Sequence, residues 1–170
     1  ILENQVNRVY LSLGSNLGNK VKNLEIAKHY LNISGIKILK SSGYYDSKSW
    51  PNINFPNYLN IVLLAITELN LINLFTKIKS IEKSMGRTIT KKNFPRICDI
   101  DIIDFNGKSH NKTYLKDNIK VPHERMHNRN FVLIPLYEIN KSWYHPKLKK
   151  NIVNLIDNLP PNELSSIKFI

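Results

Sequence analysis

Asp99 and Asp101 stand two residues apart in the segment Pro95-Arg96-Ile97-Cys98-Asp99-Ile100-Asp101-Ile102-Ile103. Side chains two apart on a strand share a face, so the two carboxylates would stand side by side, while Cys98, Ile100 and Ile102 would point the other way and suit a core. Adjacent like charges repel, and a fold gains no stability by pairing them. A hard cation such as Mg²⁺ needs oxygen ligands of this kind and shares them with substrate phosphates. Arg96 lies just upstream, where a polyphosphate on such metals would meet a guanidinium. An edge strand with two solvated acids would carry the same triplet, so the spacing alone leaves both readings open.

The rest of the chain must position that strand. Its 170 residues predict one domain with room for a real core. We read 1–158 as that domain and 159–170 as a tail or linker, because Leu159-Pro160-Pro161-Asn162-Glu163-Leu164-Ser165-Ser166 is rich in turn formers. The first residue is Ile1 rather than Met, which suggests a processed chain or an excised piece. No apolar run is long enough to cross a bilayer, and no secretory signal pattern is present, so no membrane partner is expected. The single Cys98 excludes an internal disulfide framework and a multi-cysteine zinc site, which makes a reducing cytoplasm the simplest compartment. The net charge of +12 suggests an anionic partner, whether nucleic acid, an acidic surface or a polyphosphate. An AT-rich genome would enrich Lys, Asn and Ile equally well.

Alternation from Val6 to Leu13 predicts a strand that enters the turn Gly14-Ser15-Asn16-Leu17-Gly18-Asn19. Helical spacing follows from Lys20 to Leu31, and Gly35 stops it. A second strand is expected from Ile36 to Tyr45, then a Pro- and Asn-rich loop from Ser47 to Pro56 and an antiparallel third strand from Tyr58 to Thr67. Asn70 can cap a helix from Leu71 to about Met85 that Gly86 ends. A basic loop, 88–93, leads to the acidic strand from Cys98 to Phe105 and the turn signal Asn106-Gly107. Short helices are expected up to Asn128, from Phe131 to Ile139 and from Asn151 to Asn158. The order β-α-β-β-α-β predicts an α+β class, a ferredoxin-like split β-α-β sheet with helices on its faces, and that order chooses no function.

Four segments together resemble the 6-hydroxymethyl-7,8-dihydropterin pyrophosphokinase family of folate biosynthesis. They are Tyr10-Leu11-Ser12-Leu13-Gly14-Ser15-Asn16-Leu17-Gly18, Phe55-Pro56-Asn57-Tyr58-Leu59-Asn60, Gly86-Arg87 with Pro95-Arg96-Ile97-Cys98-Asp99-Ile100-Asp101, and Val121-Pro122-His123 with Asn128-Arg129-Asn130-Phe131. The third carries the family's Pro-Arg-x-x-Asp-x-Asp signature. The resemblance implies transfer of pyrophosphate from ATP to the pterin hydroxymethyl group, releasing AMP. It implies two Mg²⁺ on Asp99 and Asp101, with Arg87 and Arg96 stabilising phosphate charge as catalytic groups beside them. It further implies ATP contacts at Glu82, Arg87, Arg96, Ile102, Lys120, His123 and Arg129, and pterin contacts at Ser47, Trp50, Tyr58, Asn60, Asp99 and Phe131. Fusion to dihydropteroate synthase or dihydroneopterin aldolase also fits the resemblance, as does closure of loops 88–93 and Ser47–Asn54 over ATP and pterin.

The chain departs from the family pattern at three places. Ser47-Lys48-Ser49-Trp50-Pro51 replaces the usual Thr-Pro-x-Gly-like loop, Asn93-Phe94 replaces Trp-Gly before the signature proline, and Glu124 stands where an aromatic is common. A competing reading from another class is a ferredoxin-like RNA-binding module. Such modules need exposed aromatics on the central strands, where this chain has two acids, so no nucleic-acid partner is expected.

Overall fold

In the centre of the sheet lies β1, Asn7–Ser15, whose alternation separates two cores. Val9, Leu11 and Leu13 join Leu59, Ile61, Leu63 and Ala65 of β4 (Tyr58–Thr67) beneath two helices. These are α1 (Lys20–Ile33) and α2 (Leu71–Ser84), which contribute Leu24, Ala27 and Leu31, and Leu71, Leu74, Ile78 and Ile81. On the other face Tyr10, Val62 and Leu64 meet a second apolar layer. It is supplied by Val132, Leu133 and Leu136 of α3 (Asn130–Ile139), by Ile152 and Leu155 of α4 (Ile152–Asp157), and by Trp143 and Leu159. The structure is a computed structural model and describes residues 5–86 and 94–170. Arg87 and the expected loop 88–93 lie outside the described residues.

The helix ends follow their sequence signals. Asn19 accepts a bond from the Lys22 N–H and Asn70 from the Asn73 N–H, each satisfying an N–H that the helix leaves unpaired. Gly86, at φ +91, adopts the left-handed conformation that closes α2.

The strand order is β10-β3-β4-β1-β5, and β2 (Ile36–Ser41) also pairs with β4. Here β3 is Tyr45–Ser47, β5 is Asp99–Phe105 and β10 is Lys168–Phe169. All neighbours are antiparallel, so β1 and β2 run parallel with β4 between them, which is the expected split β-α-β arrangement. The single strand expected from Ile36 to Tyr45 is two strands on the same edge of β4. It breaks at Ser42, whose hydroxyl accepts the Val62 N–H, and at Gly43, whose N–H goes to the Glu138 carboxylate. Within β5, Leu11 faces Ile102 but Tyr10 faces Asp104, so Ile103 is an inserted residue.

Three features escaped sequence reading. The hairpin of β6 (His110–Tyr114) and β7 (Asp117–Val121) is mostly exposed, and only Ile119 and Val121 of β7 reach the core. A small ladder joins β8 (Tyr144–His145) to β9 (Lys150–Asn151). The stretch read as a tail or linker contains α5 (Pro161–Ser166) and β10, which pairs with β3. The helical stretch before Asn128 is a 3-10 turn, Met126–Asn128. Among the described residues, no helix is long and apolar enough to cross a membrane.

Candidate active site

Register places the expected site residues in rows across the sheet. Asn60 of β4, Gly14 of β1 and Asp99 of β5 form one row, and Val62, Ser12 and Asp101 form the next. Asp99 and Asp101 therefore share a face, as their spacing predicts, while Ile100 and Ile102 are buried in the core beneath the helices. Between the two polar side chains of the first row lies Gly14. A Cβ there would come within 3.3 Å of both Asn60 Oδ1 and the Tyr58 ring, so the glycine lets these two side chains approach the strand closely. Sequence reading had placed Gly14 only in a turn.

Each acid has a cationic neighbour. Asp99 Oδ2 lies 3.4 Å from Arg96 Nη1, and Asp101 Oδ2 lies 3.4 Å from Arg129 Nη1. The acids' side chains are 31% and 32% exposed. Burial lowers the Arg129 pKa, and Asp101 opposes that shift. The same guanidinium lies over the Phe131 ring, 5.5 Å from its centroid. Phe131 is half-buried near the start of α3, and Pro135, four residues on, has no N–H to donate to its carbonyl.

Burial pushes the pKa of His123 down to about 4, with the charges of Arg129 and Arg125 adding to the effect against Asp99 and Glu124. The ring is neutral at pH 7. Its Nδ1 accepts the Arg125 N–H at 3.2 Å, so Nε2 carries the proton and is a donor. Lys120, on β7, pairs with Glu124 at 3.1 Å, an exposed contact that occupies the position where an aromatic was expected.

At the residues expected to contact pterin, the Asn60 side-chain nitrogen donates to the Tyr45 carbonyl at 3.0 Å and to Ser47 Oγ at 2.9 Å. The resemblance implies a pterin contact at this amide. In the fold its donor side is already engaged, and Oδ1 is the atom beside Gly14. Ser47 is buried and acts through Asn60, and Trp50 is 71% exposed on the loop that follows. Asn16 binds that loop, donating to Ser49 Oγ at 3.2 Å and to the Pro56 carbonyl at 3.3 Å. The Asn16 Oδ1 also accepts the Arg96 N–H at 2.8 Å, so one buried amide joins the loop after Ser47 to the approach of β5. Its signal in the sequence was the turn Gly14-Ser15-Asn16.

Two expected ATP contacts are placed differently. Glu82 is 1% exposed, with Oε1 accepting the Ile100 N–H at 2.8 Å and Oε2 paired with Lys79 at 3.0 Å. Its carboxylate fastens the outer edge of the acidic strand between Asp99 and Asp101. The Ile102 side chain is core, but by ladder alternation its backbone N–H and C=O point to the same outer edge of β5 as the Ile100 N–H. An ATP contact at Ile102 would be made by backbone.

The carboxylate pair suits Mg²⁺. Both side chains are part-exposed oxygen donors on one face, and no cluster of three His, Cys, Asp or Glu able to hold a metal occurs among the described residues. A site with so few protein ligands leaves coordination positions for water and phosphate, which Mg²⁺ prefers over an all-protein cage.

Residues 10–141 match the family 7,8-dihydro-6-hydroxymethylpterin-pyrophosphokinase. The 2-amino-4-hydroxy-6-hydroxymethyldihydropteridine pyrophosphokinase of Aquifex aeolicus is 38% identical over 146 residues, covering 84% of this chain and 86% of its own length. The folic acid synthesis protein fol1 of Pneumocystis carinii is 33% identical over 159 residues, 94% of this chain. This chain spans only 21% of that longer relative. The structure of Plasmodium falciparum HPPK-DHPS with pterin and p-hydroxybenzoate is similar over 99% of this chain and 46% of its own, with a TM-score of 0.78 at 17% identity, a likeness of fold. The chain belongs to the 7,8-dihydro-6-hydroxymethylpterin-pyrophosphokinase family.

Proposed function

We propose that this chain transfers pyrophosphate from ATP to 6-hydroxymethyl-7,8-dihydropterin, releasing AMP and the pterin diphosphate for folate synthesis. The observation that carries the reading is the row Asn60, Gly14 and Asp99, which sets an amide, a residue without a side chain and an acid side by side. A flat pterin lying on Gly14 with its polar edge at Asn60 directs its hydroxymethyl group towards the acids. Tyr58 and Phe131 supply the aromatic walls, and the Trp50 loop borders them. In the transfer, the hydroxymethyl oxygen bonds to the β-phosphorus as the bridge to the α-phosphate breaks.

Asp99 and Asp101 would hold two Mg²⁺. Bound there, the metals neutralise phosphate charge and ease deprotonation of the hydroxymethyl oxygen. Arg96 and Arg129 are held near the acids by contacts too long to be strong hydrogen bonds, so they can re-pair with phosphate oxygens. Arg87 follows α2 and would add a further cation. His123 donates from Nε2 to a phosphate without adding charge, and Lys120 extends the cationic lining. The edge backbone of Ile102 offers a donor and an acceptor to the nucleotide base. Together these groups act by positioning and electrostatic neutralisation, which dominate phosphoryl chemistry. Longer relatives such as the Pisum sativum folate synthesis bifunctional protein support a reading in which the domain works beside a second folate enzyme. The RNA-binding alternative loses its footing here, because helices cover both faces of the sheet.

The test is phosphorus NMR of the protein with ATP, Mg²⁺ and the reduced hydroxymethylpterin. AMP and a pterin diphosphate should appear together. Release of ADP, or AMP formation that does not need the pterin, would refute the reading.

A further inference from the structure

Residues 161–170 are tied to both sides of the groove in which the pterin is placed. On one side, Asn130 opens α3 immediately before Phe131 and is 3% exposed. Its side-chain nitrogen donates to the Glu163 carbonyl at 2.6 Å and to Ser166 Oγ at 3.0 Å, both on α5. The residue capping α3, Arg129, makes no side-chain cap bond, so the start of this helix is held from outside by α5.

On the other side, β10 pairs with β3, setting Phe169 opposite Tyr45 and Lys168 opposite Asp46. The Ile170 N–H adds a bond to the Tyr44 carbonyl at 3.0 Å. The Phe169 ring meets that of Tyr45 edge-on at 5.4 Å. It also lies over Gly43, where a Cβ would collide with it. Tyr45 carries this contact inward in two directions. Its hydroxyl donates to Glu138 of α3 at 2.8 Å, and its carbonyl accepts the Asn60 amide at 3.0 Å.

We propose that the arm formed by α5 and β10 is a positioning element of the pterin groove. It sets the Phe131 wall through Asn130 and the Asn60 edge through Tyr45. The arm touches no substrate, lies beyond the family match at 10–141, and acts only through these two residues. β3 is three residues long, and without β10 its outer edge would be unpaired. Short unpaired edges open at low free-energy cost, so the carbonyl that orients Asn60 would wander. Among the described residues, the arm makes no hydrogen bond to β5 or β7, where the nucleotide is placed, and the Phe169 contact passes through Tyr45 to Asn60 and to Glu138 of α3. The proposal rests on the pyrophosphokinase reading above.

Steady-state AMP release and calorimetric pterin binding test it on four proteins. These are the whole chain, a chain ending at Pro160, Phe169→Ala and Phe169→Tyr. The chain ending at Pro160 should raise the pterin KM about tenfold and the ATP KM no more than about twofold, the signature of a lost ground-state contact to one substrate. Phe169→Ala should raise the pterin KM about threefold, and Phe169→Tyr, which keeps the ring, should restore it. Calorimetric pterin affinity should fall in the same order. Unchanged pterin affinity in the shortened chain would overturn the proposal, as would equal losses for both substrates. If the shortened chain does not fold, Phe169→Ala against Phe169→Tyr decides alone. Absence of pterin-dependent AMP from the whole chain would instead fail the pyrophosphokinase reading, while the pterin titration still reads the arm.

Discussion

On the proposed pterin side of the groove, the polar groups are buried and bonded to one another, whereas on the proposed phosphate side the acids are part-exposed and flanked by arginines. Asn60, Ser47 and Tyr45 are buried and joined by bonds of 2.9 and 3.0 Å. Asp99 and Asp101 are about a third exposed, and each sits 3.4 Å from its arginine. The contrast follows from the ligands. A flat, neutral heterocycle gains selectivity from donors and acceptors that cannot reorient, since a misplaced buried group is left unpaired. A metal polyphosphate needs charges that can change partners as it arrives, so tight internal pairs would compete with it. Removing a phosphate-side group should therefore cost activity and little stability, and removing a pterin-side group should cost both.

The sharpest break is Asp101→Ala. Turnover should fall at least about 10²–10³-fold, the scale of losing a charge-stabilising group at a reacting centre. Thermal unfolding should change by no more than about 0.5–1 kcal/mol, because a part-exposed pair at this distance contributes little. Asn60→Ala comes next and should show the opposite pattern. It strands the Tyr45 carbonyl and the Ser47 hydroxyl, and denaturant unfolding should reveal a loss of about 1–3 kcal/mol. Pterin affinity should fall with it, while nucleotide affinity holds.

Gly14→Ala probes the position between the two regions. The new Cβ would meet Asn60 Oδ1 and Tyr58 at 3.3 Å, so calorimetry should show pterin binding weakened about tenfold with the fold retained.

The smallest effect concerns His145, which lines one pocket with His123 and Lys120 and whose pKa burial, aided by His127 and Lys147, pushes down to about 4. Its Nδ1 accepts the N–H groups of Lys147 and Leu148. Between the folded value and the ordinary 6.5, the unfolded chain binds more protons than the folded one. Stability should thus decline as pH falls from 6.5 towards 4, and His145→Gln should reduce that slope by up to about one proton in urea melts across the window.

Much of this was legible in the residues. Strand alternation located the acids on one face and Ile100 and Ile102 on the other, and Asn70 and Gly86 marked the ends of α2. What escaped depends on contacts between distant segments. Glu82 has helical spacing that fits solvent as readily as burial, and only the edge of β5 explains its carboxylate. Asn16 joins Ser49 and Arg96 across the sheet end, which no local period encodes. Pro160-Pro161 reads as a linker, yet proline also suits the first turn of a helix, as it does at the start of α5.

The division of labour is tested most directly by titrating each ligand alone, with Mg²⁺ and then with chelator. The probes are the pterin and an unreactive ATP analogue. Chelation should weaken nucleotide binding at least about tenfold and change pterin binding by less than about twofold, since the proposed function assigns the metal to the phosphate side alone. A pterin affinity that falls as far as the nucleotide's would contradict the account.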